Sequence, residues 1–232
     1  MKELKSSLKK AFVCLSLLAV IFVCSILSAK AQEIVDKTVA TVADGNNTEL
    51  ITYSDLLWQL ALIQNASLNP PTSEELNRAL QILINQRLFA LEAERLPRAA
   101  ATEAEVDAEI KRVLRLFPST AEFEKRLRLV GFDSVKDDNF EKMMAQRVSI
   151  EKYLEFRFRS FVVITPEDEA KYYRDVFTSD FRRRNPGLLL PPIEEVRTRI
   201  NQTLTEQKIA TDIEKFLDDA KRRTEIIVLN EV

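Results

Sequence analysis

Adjacent carboxylates are the side chains in this sequence whose type and spacing come closest to catalytic chemistry. Two carboxyl groups that face one substrate can act as a general acid and a general base. Neighbours on a helix diverge by about 100°, however, so an adjacent pair does not face a substrate together. Acids are also favoured electrostatically near helix starts, where the first three pairs are predicted to lie. We interpret these pairs as structural; they are Glu74/Glu75, Asp137/Asp138, Glu194/Glu195 and Asp218/Asp219.

The residue inventory excludes most other catalytic sites. The 232 residues include no histidine, and both cysteines, Cys14 and Cys24, lie in the first 31 residues. Ser-His-Asp triads, Cys-His pairs and the usual zinc sites therefore cannot form in the remainder. The three glycines are too few for a glycine-rich phosphate-binding loop. A Ser-Lys dyad is possible in principle, but no local signature supports it. We expect no enzymatic activity, no nucleotide, no metal and no other cofactor.

The first 31 residues have the pattern of a secretory signal peptide. Four lysines precede an uncharged apolar run from Ala11 to Leu27, and Ala29-Lys30-Ala31 forms a small-x-small cleavage site. We expect export to the periplasm and cleavage after Ala31. The alternative is an uncleaved membrane anchor, because the apolar run is nearly as long as the ~18 residues that indicate a spanning helix.

The expected mature chain, residues 32–232, is acidic. The first 31 residues hold five lysines and one glutamate, which leaves 29 basic and 35 acidic side chains and a net charge of −6. This balance argues against strong binding to nucleic acid or to anionic lipid. We expect no nucleic-acid partner, and weak or no membrane contact after cleavage. Because the mature chain has no cysteine, its stability must come from apolar burial.

The first part of the mature chain predicts a β-hairpin followed by capped helices. Extended segments flank the turn signal Asp44-Gly45-Asn46-Asn47. Thr52, Thr72 and Thr102 each precede an acid by three residues, which is capping-box spacing. A further helix is predicted to start at residues 118–120 and to end at Gly131, and a long helix rich in phenylalanine and methionine is predicted over 137–161.

The last part of the chain contains the clearest helix start and one clear interruption. Thr165 can cap a helix whose first residue is Pro166, followed by three acids at its positive end. Residues 178–192, TSDFRRRNPGLLLPP, interrupt the pattern before a long helix and the terminal strand TEIIVL. A lone strand needs a partner, so we expect the two chain ends to meet. The predicted fold is mainly α (α+β), a helical domain with a small antiparallel sheet formed by the N-terminal hairpin and the C-terminal strand.

The order of these elements resembles the N-terminal core of SurA-like periplasmic chaperones. The resemblance rests on ELITYSDL, ALQILINQRLFALEAERL, ATEAEVDAEIKRV, AEFEKRLRLVGF, the long helix that follows and VVITPEDEAKYYRDVF. The segment PIEEVRTRINQTL…KFLDDAKRRTEIIVL is similar to the helix and strand that return to that core. The resemblance implies a signal peptide over 1–31, a helical core over 32–177, a short bridge over 178–192, and a helix and strand over 193–232 that complete the core.

The resemblance also implies a missing module. In SurA-like proteins, one or more parvulin-type prolyl isomerase domains stand where this chain has the 15 residues 178–192, and the histidines of the parvulin signature have no counterpart here. We therefore expect no catalysis above background in a proline-peptide isomerisation assay. Within the bridge, we expect Arg182–Arg184 to be a solvated loop, and GLLLPP to pack on the body or to form the lip of a client groove.

The family's chaperone core binds unfolded outer-membrane polypeptides in transit, which implies unfolded polypeptide clients for this chain. A protein that holds such clients needs exposed apolar surface on flexible or aromatic side chains. The predicted helix over 137–161 has more apolar stripes than a surface helix needs, so it is either client-binding or buried on most sides. Trp58 likewise is either a core aromatic or a client contact. The candidate client-binding residues are Trp58, Met143, Met144, Leu154, Phe156, Phe158, Phe161 and Leu189.

The functional hypothesis is an exported, ATP-independent chaperone that holds unfolded outer-membrane or secreted polypeptides. The first alternative is a non-chaperone interaction or assembly module, tethered to the membrane if the signal is retained. The second alternative is a degenerate prolyl isomerase. The amount of exposed apolar surface distinguishes a chaperone from a module with one specific partner.

Overall fold

The computed structural model describes residues 36–45, 47–94 and 100–229, and the predicted signal peptide and its cleavage site lie outside them. The chain from Asp36 onward forms one compact unit. A search of the described residues for a helix with the length and hydropathy of a membrane span finds none.

Both ends of the described chain meet in one antiparallel sheet, as the sequence predicts. Strands β1 (Thr38–Asp44), β2 (Asn47–Thr52) and β3 (Glu225–Val228) lie in the order β2-β1-β3. Ala40 on the central strand pairs with Ile51 on one side and Val228 on the other. The fold class, mainly α with a small sheet from the N-terminal hairpin and the C-terminal strand, is therefore confirmed.

The helices follow the predicted caps closely. Thr52, Thr102 and Thr165 form capping boxes with the acids three residues later, and Thr72 exchanges hydrogen bonds with Glu75 in the same way. Gly131 has a φ of 95°, as expected of a residue that ends a helix in the left-handed region. The helices are α1 Tyr53–Ala61, α2 Ser73–Glu94, α3 Glu103–Leu114, α4 Thr120–Leu129, α5 Asp138–Leu154, α6 Pro166–Tyr172, α7 Thr178–Arg184 and α8 Ile193–Arg223.

Two π-helical turns extend the helices beyond their α-helical parts. Glu155–Arg159 continues α5, and Tyr173–Phe177 joins α6 to α7 as one uninterrupted helical run. A hydroxyl just after each turn donates to the carbonyl of the turn's first residue. The Ser160 hydroxyl donates to the Glu155 carbonyl at 3.1 Å, and the Thr178 hydroxyl donates to the Tyr173 carbonyl at 2.8 Å. Each of these carbonyls also accepts the backbone amide of the same residue, in the i to i+5 pattern of a π-helix.

The predicted interruption at 178–192 is shorter in the structure. Residues Thr178–Arg184 are helical, so the arginine triplet occupies the last turn of α7, and its expected loop conformation is wrong. Cations are favoured at that end of a helix, and Asp180 pairs with Arg183 at 2.5 Å. The helix ends at Arg184, because Asn185 precedes Pro186 and the α conformation is disfavoured at that position. The break is therefore residues 185–192.

The expected packing of the GLLLPP leucines onto the body is also wrong. Leu188 is 66% exposed and Leu189 is 94% exposed, whereas Leu190 is half-buried. Gly187, with a φ of 86°, turns the chain so that these leucines point away from the helices on either side.

Three apolar clusters make up the core. The first joins the sheet to α1, α2 and the end of α8 around Val39, Ile51 and Leu88. The second is aromatic and joins α1 to α3, α4 and α5; its rings are Phe117, Phe123, Phe132 and Phe140. The third joins α2 and α5 to α8 and contains Phe89, Ile150, Tyr153, Phe158 and Ile209.

Arg126 of α4 closes the C-terminal end of α1. Its guanidinium donates to four backbone carbonyls at 2.8 to 3.3 Å, those of Leu60, Ala61, Ile63 and Ala66. Helix ends leave such carbonyls without intrahelical partners, and this side chain satisfies several at once. Burial disfavours the charge of Arg126 and lowers its pKa. The four carbonyls offset part of this cost, because they accept hydrogen bonds from the charged guanidinium.

Ion pairs fasten α3 to α5. Glu109 of α3 is buried and accepts from Arg112 at 2.6 Å and from Arg147 of α5 at 3.1 Å. Burial raises the pKa of Glu109, but the hydrogen bonds from the two arginines outweigh it, and the pKa lies below its ordinary value. Glu105, one turn earlier, accepts from Lys152 of α5 at 2.7 Å.

Glu105 predicts a specific dependence of stability on pH. The hydrogen bond from Lys152, followed by those from the Thr102 backbone and hydroxyl, lowers the pKa of Glu105 from 4.5 to about 2. Its contribution to stability is therefore complete above pH 4.5 and is lost as the pH falls towards 2. As the pH falls through this window, the melting temperature of Glu105→Gln should therefore decrease less than that of the wild type. Glu103→Gln is the matched control, and an identical pH dependence of the wild type and Glu105→Gln contradicts the assignment.

Candidate functional site

The helical run from Pro166 to Arg184 packs chiefly against α8 and forms an arm with it. We define the arm as residues 166–203. Its inner face is an aromatic ladder of Tyr173, Phe177 and Phe181, with ring centroids 5.6 and 5.8 Å apart. The guanidinium of Arg199 on α8 lies 4.9 Å from the centre of the Phe177 ring. Stacking and cation–π contacts therefore hold the two sides of the arm together.

A buried carboxylate adds polar contacts between the two sides of the arm. Glu169 of α6 is 6% exposed and accepts from the side-chain amide of Asn201 at 2.7 Å. The same carboxylate lies 3.4 Å from Nε of Arg197. A buried charge is stable only when it is paired, so these two residues of α8 fix the register of α6 against it.

Two open clefts meet along α8 where the arm joins the body. The first, about 510 Å³, lies between α8 and the end of α5, and the second, about 470 Å³, lies between α8 and α6. Lys208, Asp212 and Lys215 line both clefts, and their spacing places them on one face of α8. The two clefts therefore lie side by side along this face, and we call them together the α8 groove.

The floor of the first cleft is aromatic. Phe216 of α8 stacks on Phe89 of α2 with ring centroids 5.5 Å apart. It also meets the edge of Phe158 at 5.6 Å and packs beside Tyr153 at 6.2 Å. Four rings from three helices thus pack together beneath the groove, where Phe89, Tyr153 and Phe158 are buried and Phe216 is half-buried.

The rim of the groove carries exposed apolar side chains. Phe161 is 69% exposed and meets Phe156, which is 45% exposed, edge to face at 5.7 Å. Val163 and Val176 are also exposed. The Lys208 ammonium donates to the Val163 carbonyl at 3.4 Å, which holds the segment Phe161–Ile164 across the boundary between the two clefts. Contiguous exposed apolar groups of this kind are typical of interaction sites.

Charged side chains of both signs surround this apolar surface. The charges around the first cleft nearly balance, so the groove does not select strongly for an acidic or a basic ligand. Long side chains can also fold their aliphatic stems over apolar groups that the ligand leaves uncovered. The charged lining residues are Glu92, Arg157, Lys208, Asp212, Lys215, Asp219 and Arg223.

The structure brings together only some of the predicted client-binding residues. Phe158 and Phe161 line the groove, with Phe158 buried in its floor, and Phe156 stands on the rim. Leu154 is half-buried in the third cluster beneath them. Leu189 lies apart from these residues, on the bridge at the end of the arm.

The other three candidates belong to the second core cluster. Met144 is fully buried there, and Met143 packs against the same cluster from a half-buried position. Trp58 donates from Nε1 to the Val130 carbonyl at 3.0 Å and packs 4.9 Å from the Phe132 ring. The long helix therefore belongs to the core along most of its length, and its large exposed apolar side chains, Phe156 and Phe161, lie at its C-terminal end.

Several groove residues were not predicted from the sequence. They are Val162, Ile164, Tyr172, Val176, Leu204 and Phe216. One usable signal was present, because FVVI is an uncharged apolar run between two helices, where a connecting loop is normally polar. Phe216 had no comparable signal, since it lies beside Leu217 on the apolar side of an ordinary amphipathic helix.

The described part of the chain contains no group of three or more histidine, cysteine or acidic side chains placed to hold a metal ion. In comparisons with known proteins, no family model matches the chain and no curated protein matches it.

Proposed function

We propose that this protein is an ATP-independent holdase that binds unfolded outer-membrane or secreted polypeptides in the periplasm. The observation that carries the proposal is the α8 groove, in which the exposed Phe161 lines a cleft whose floor is made of packed aromatic rings. The SurA-like order of elements in the sequence supports the same function. Export remains an expectation from the first 31 residues.

The groove has the physical properties that a holdase requires. Burying an apolar client side chain contributes about 1.5–3 kcal/mol, and a groove of this size takes a few such side chains. Association and ordering of the client cost a comparable amount, so roughly micromolar or weaker binding follows. Binding of that strength shields apolar segments from one another and still releases a client that folds, because folding buries the same segments. No nucleotide is needed for this cycle.

Light scattering tests the proposal directly. A denatured outer-membrane β-barrel protein is diluted into buffer with and without residues 32–232, which contain every described buried member of the three core clusters, from Val39 to Ala220. We expect suppression of aggregation at near-stoichiometric ratios without ATP. Circular dichroism confirms that the added protein is folded. A folded protein that leaves aggregation unchanged contradicts the holdase and favours an interaction module with one specific partner.

A further inference from the structure

The end of the arm carries a second exposed apolar surface, separate from the α8 groove. We define the tip as residues 182–192. Leu188 and Leu189 are its most exposed apolar side chains, and the backbone around them is fixed. The Tyr173 hydroxyl donates to the Pro191 carbonyl at 2.7 Å, and the Leu188 amide donates to the Asn185 carbonyl at 3.2 Å. The leucines are therefore held outward by an ordered turn.

The tip is basic, although the expected mature chain is acidic. The tip contains three arginines and no acid, a net charge of +3, so the rest of residues 32–232 carries −9. Arg183 and Arg184 have side chains that are 70% and 74% exposed and share the single carboxylate of Asp180. Three residues separate the arginines from the two exposed leucines in the chain. Basic and apolar groups side by side match the headgroups and acyl boundary of an anionic bilayer.

The length of the arm separates this basic tip from the acidic remainder. Ile193 is the first residue of α8, and Ile209 is the first residue of α8 that belongs to a core cluster. The two lie about 24 Å apart along the helix axis. Electrostatic interactions are screened over about 8–10 Å at physiological salt. The tip can therefore reach a flat anionic surface while repulsion between that surface and the body is screened.

We propose that the arm tip is a peripheral membrane contact, in which Leu188 and Leu189 enter the headgroup boundary of an anionic bilayer. Arg182, Arg183 and Arg184 bind lipid phosphates beside them. The contact is weak, in keeping with the few groups involved, and it localises the protein at a membrane surface without a spanning helix. An acidic polypeptide has the matching charge as well, but it offers no apolar layer for two outward leucines, so the lipid surface fits both features.

Vesicle flotation tests the tip with residues 32–232. The probes are phosphatidylcholine vesicles with and without about a third of phosphatidylglycerol, at low and high salt. We expect binding only to the anionic vesicles at low salt. Replacing the three arginines with glutamine should lower the partition coefficient by about 100-fold. Leu188→Ser with Leu189→Ser should lower it by roughly tenfold, because less apolar surface enters the boundary.

The matched control is Leu116→Ser with Leu129→Ser, which removes two leucines that are 60% and 62% exposed outside the arm. This variant should bind vesicles like the wild type. Absence of binding to anionic vesicles at low salt overturns the proposal, as does binding that the tip variants leave unchanged. Tip variants that lose binding to polyglutamate but not to vesicles assign the tip to acidic polypeptides instead. Aggregation assays of the same variants keep this result independent of the holdase, whose groove they leave intact.

Discussion

Replacing Phe156 and Phe161 together with serine is expected to weaken client holding by roughly 30-fold while the fold stays intact. Each ring contributes up to about 1.5–3 kcal/mol when a client covers it fully. Both rings are partly covered already, since Phe156 is 45% and Phe161 is 69% exposed in the free protein. The pair therefore contributes about 2 kcal/mol to binding, which corresponds to roughly 30-fold in affinity.

This result is measured as the concentration of protein that halves aggregation of the denatured β-barrel client. Stability should change by less than about 1 kcal/mol in a denaturant titration, because the two rings contact each other at the surface and fill no core space. Leu116→Ser with Leu129→Ser is again the control, with a similar loss of exposed apolar area outside the groove. If both double variants weaken holding equally, client binding is not located at the α8 groove.

Phe216→Ala is expected to reduce stability and client holding together. The ring packs against Phe89, Tyr153 and Phe158, and it connects α8 to α2 and α5. Removal of a fully buried phenylalanine costs about 3–5 kcal/mol; Phe216 is half-buried, so we expect about 2–3 kcal/mol. The groove also loses part of its floor, so holding should weaken even under conditions where the variant is fully folded.

The control for this position is Phe216→Leu, which keeps much of the apolar volume. It should recover most of the lost stability, because it leaves a smaller cavity than alanine does. Urea titration gives the free energy of unfolding for both variants, and light scattering at low temperature gives their holding. A Phe216→Ala variant with wild-type stability would show that the four-ring floor does not join α8 to the body.

Local signals in the sequence were sufficient for most of the fold. The threonine caps predicted the starts of α1, α2, α3 and α6, because a capping box satisfies orphan amides within four residues of chain. The sheet followed from pairing alone, since a single terminal strand needs a partner. The predicted break over 178–192 begins too early, because proline disfavours the helical conformation only at the residue before it, so Pro186 leaves Thr178–Arg184 free to be helical.

The groove was harder to predict, because it depends on contacts between distant segments. Met144 and Phe161 lie in the same predicted helix and have similar apolarity, yet one is fully buried and the other is 69% exposed. The difference comes from their neighbours, since α3 and α4 cover the helix near Met144 and end before its last turns. Periodicity gives the faces of a helix, but it does not show where along the helix a neighbour stops.

The most direct test of the central claim is photo-crosslinking from the rim of the groove to an unfolded client. A benzophenone amino acid replaces Phe161 in residues 32–232, and a second preparation carries it in place of Leu129, which is similarly exposed outside the groove. Each is irradiated with a denatured β-barrel client and, separately, with the same protein folded. We expect adducts with the unfolded client from position 161 and few from position 129. Equal yields from the two positions, or adducts with the folded protein as abundant as with the unfolded one, contradict a groove that holds unfolded polypeptides.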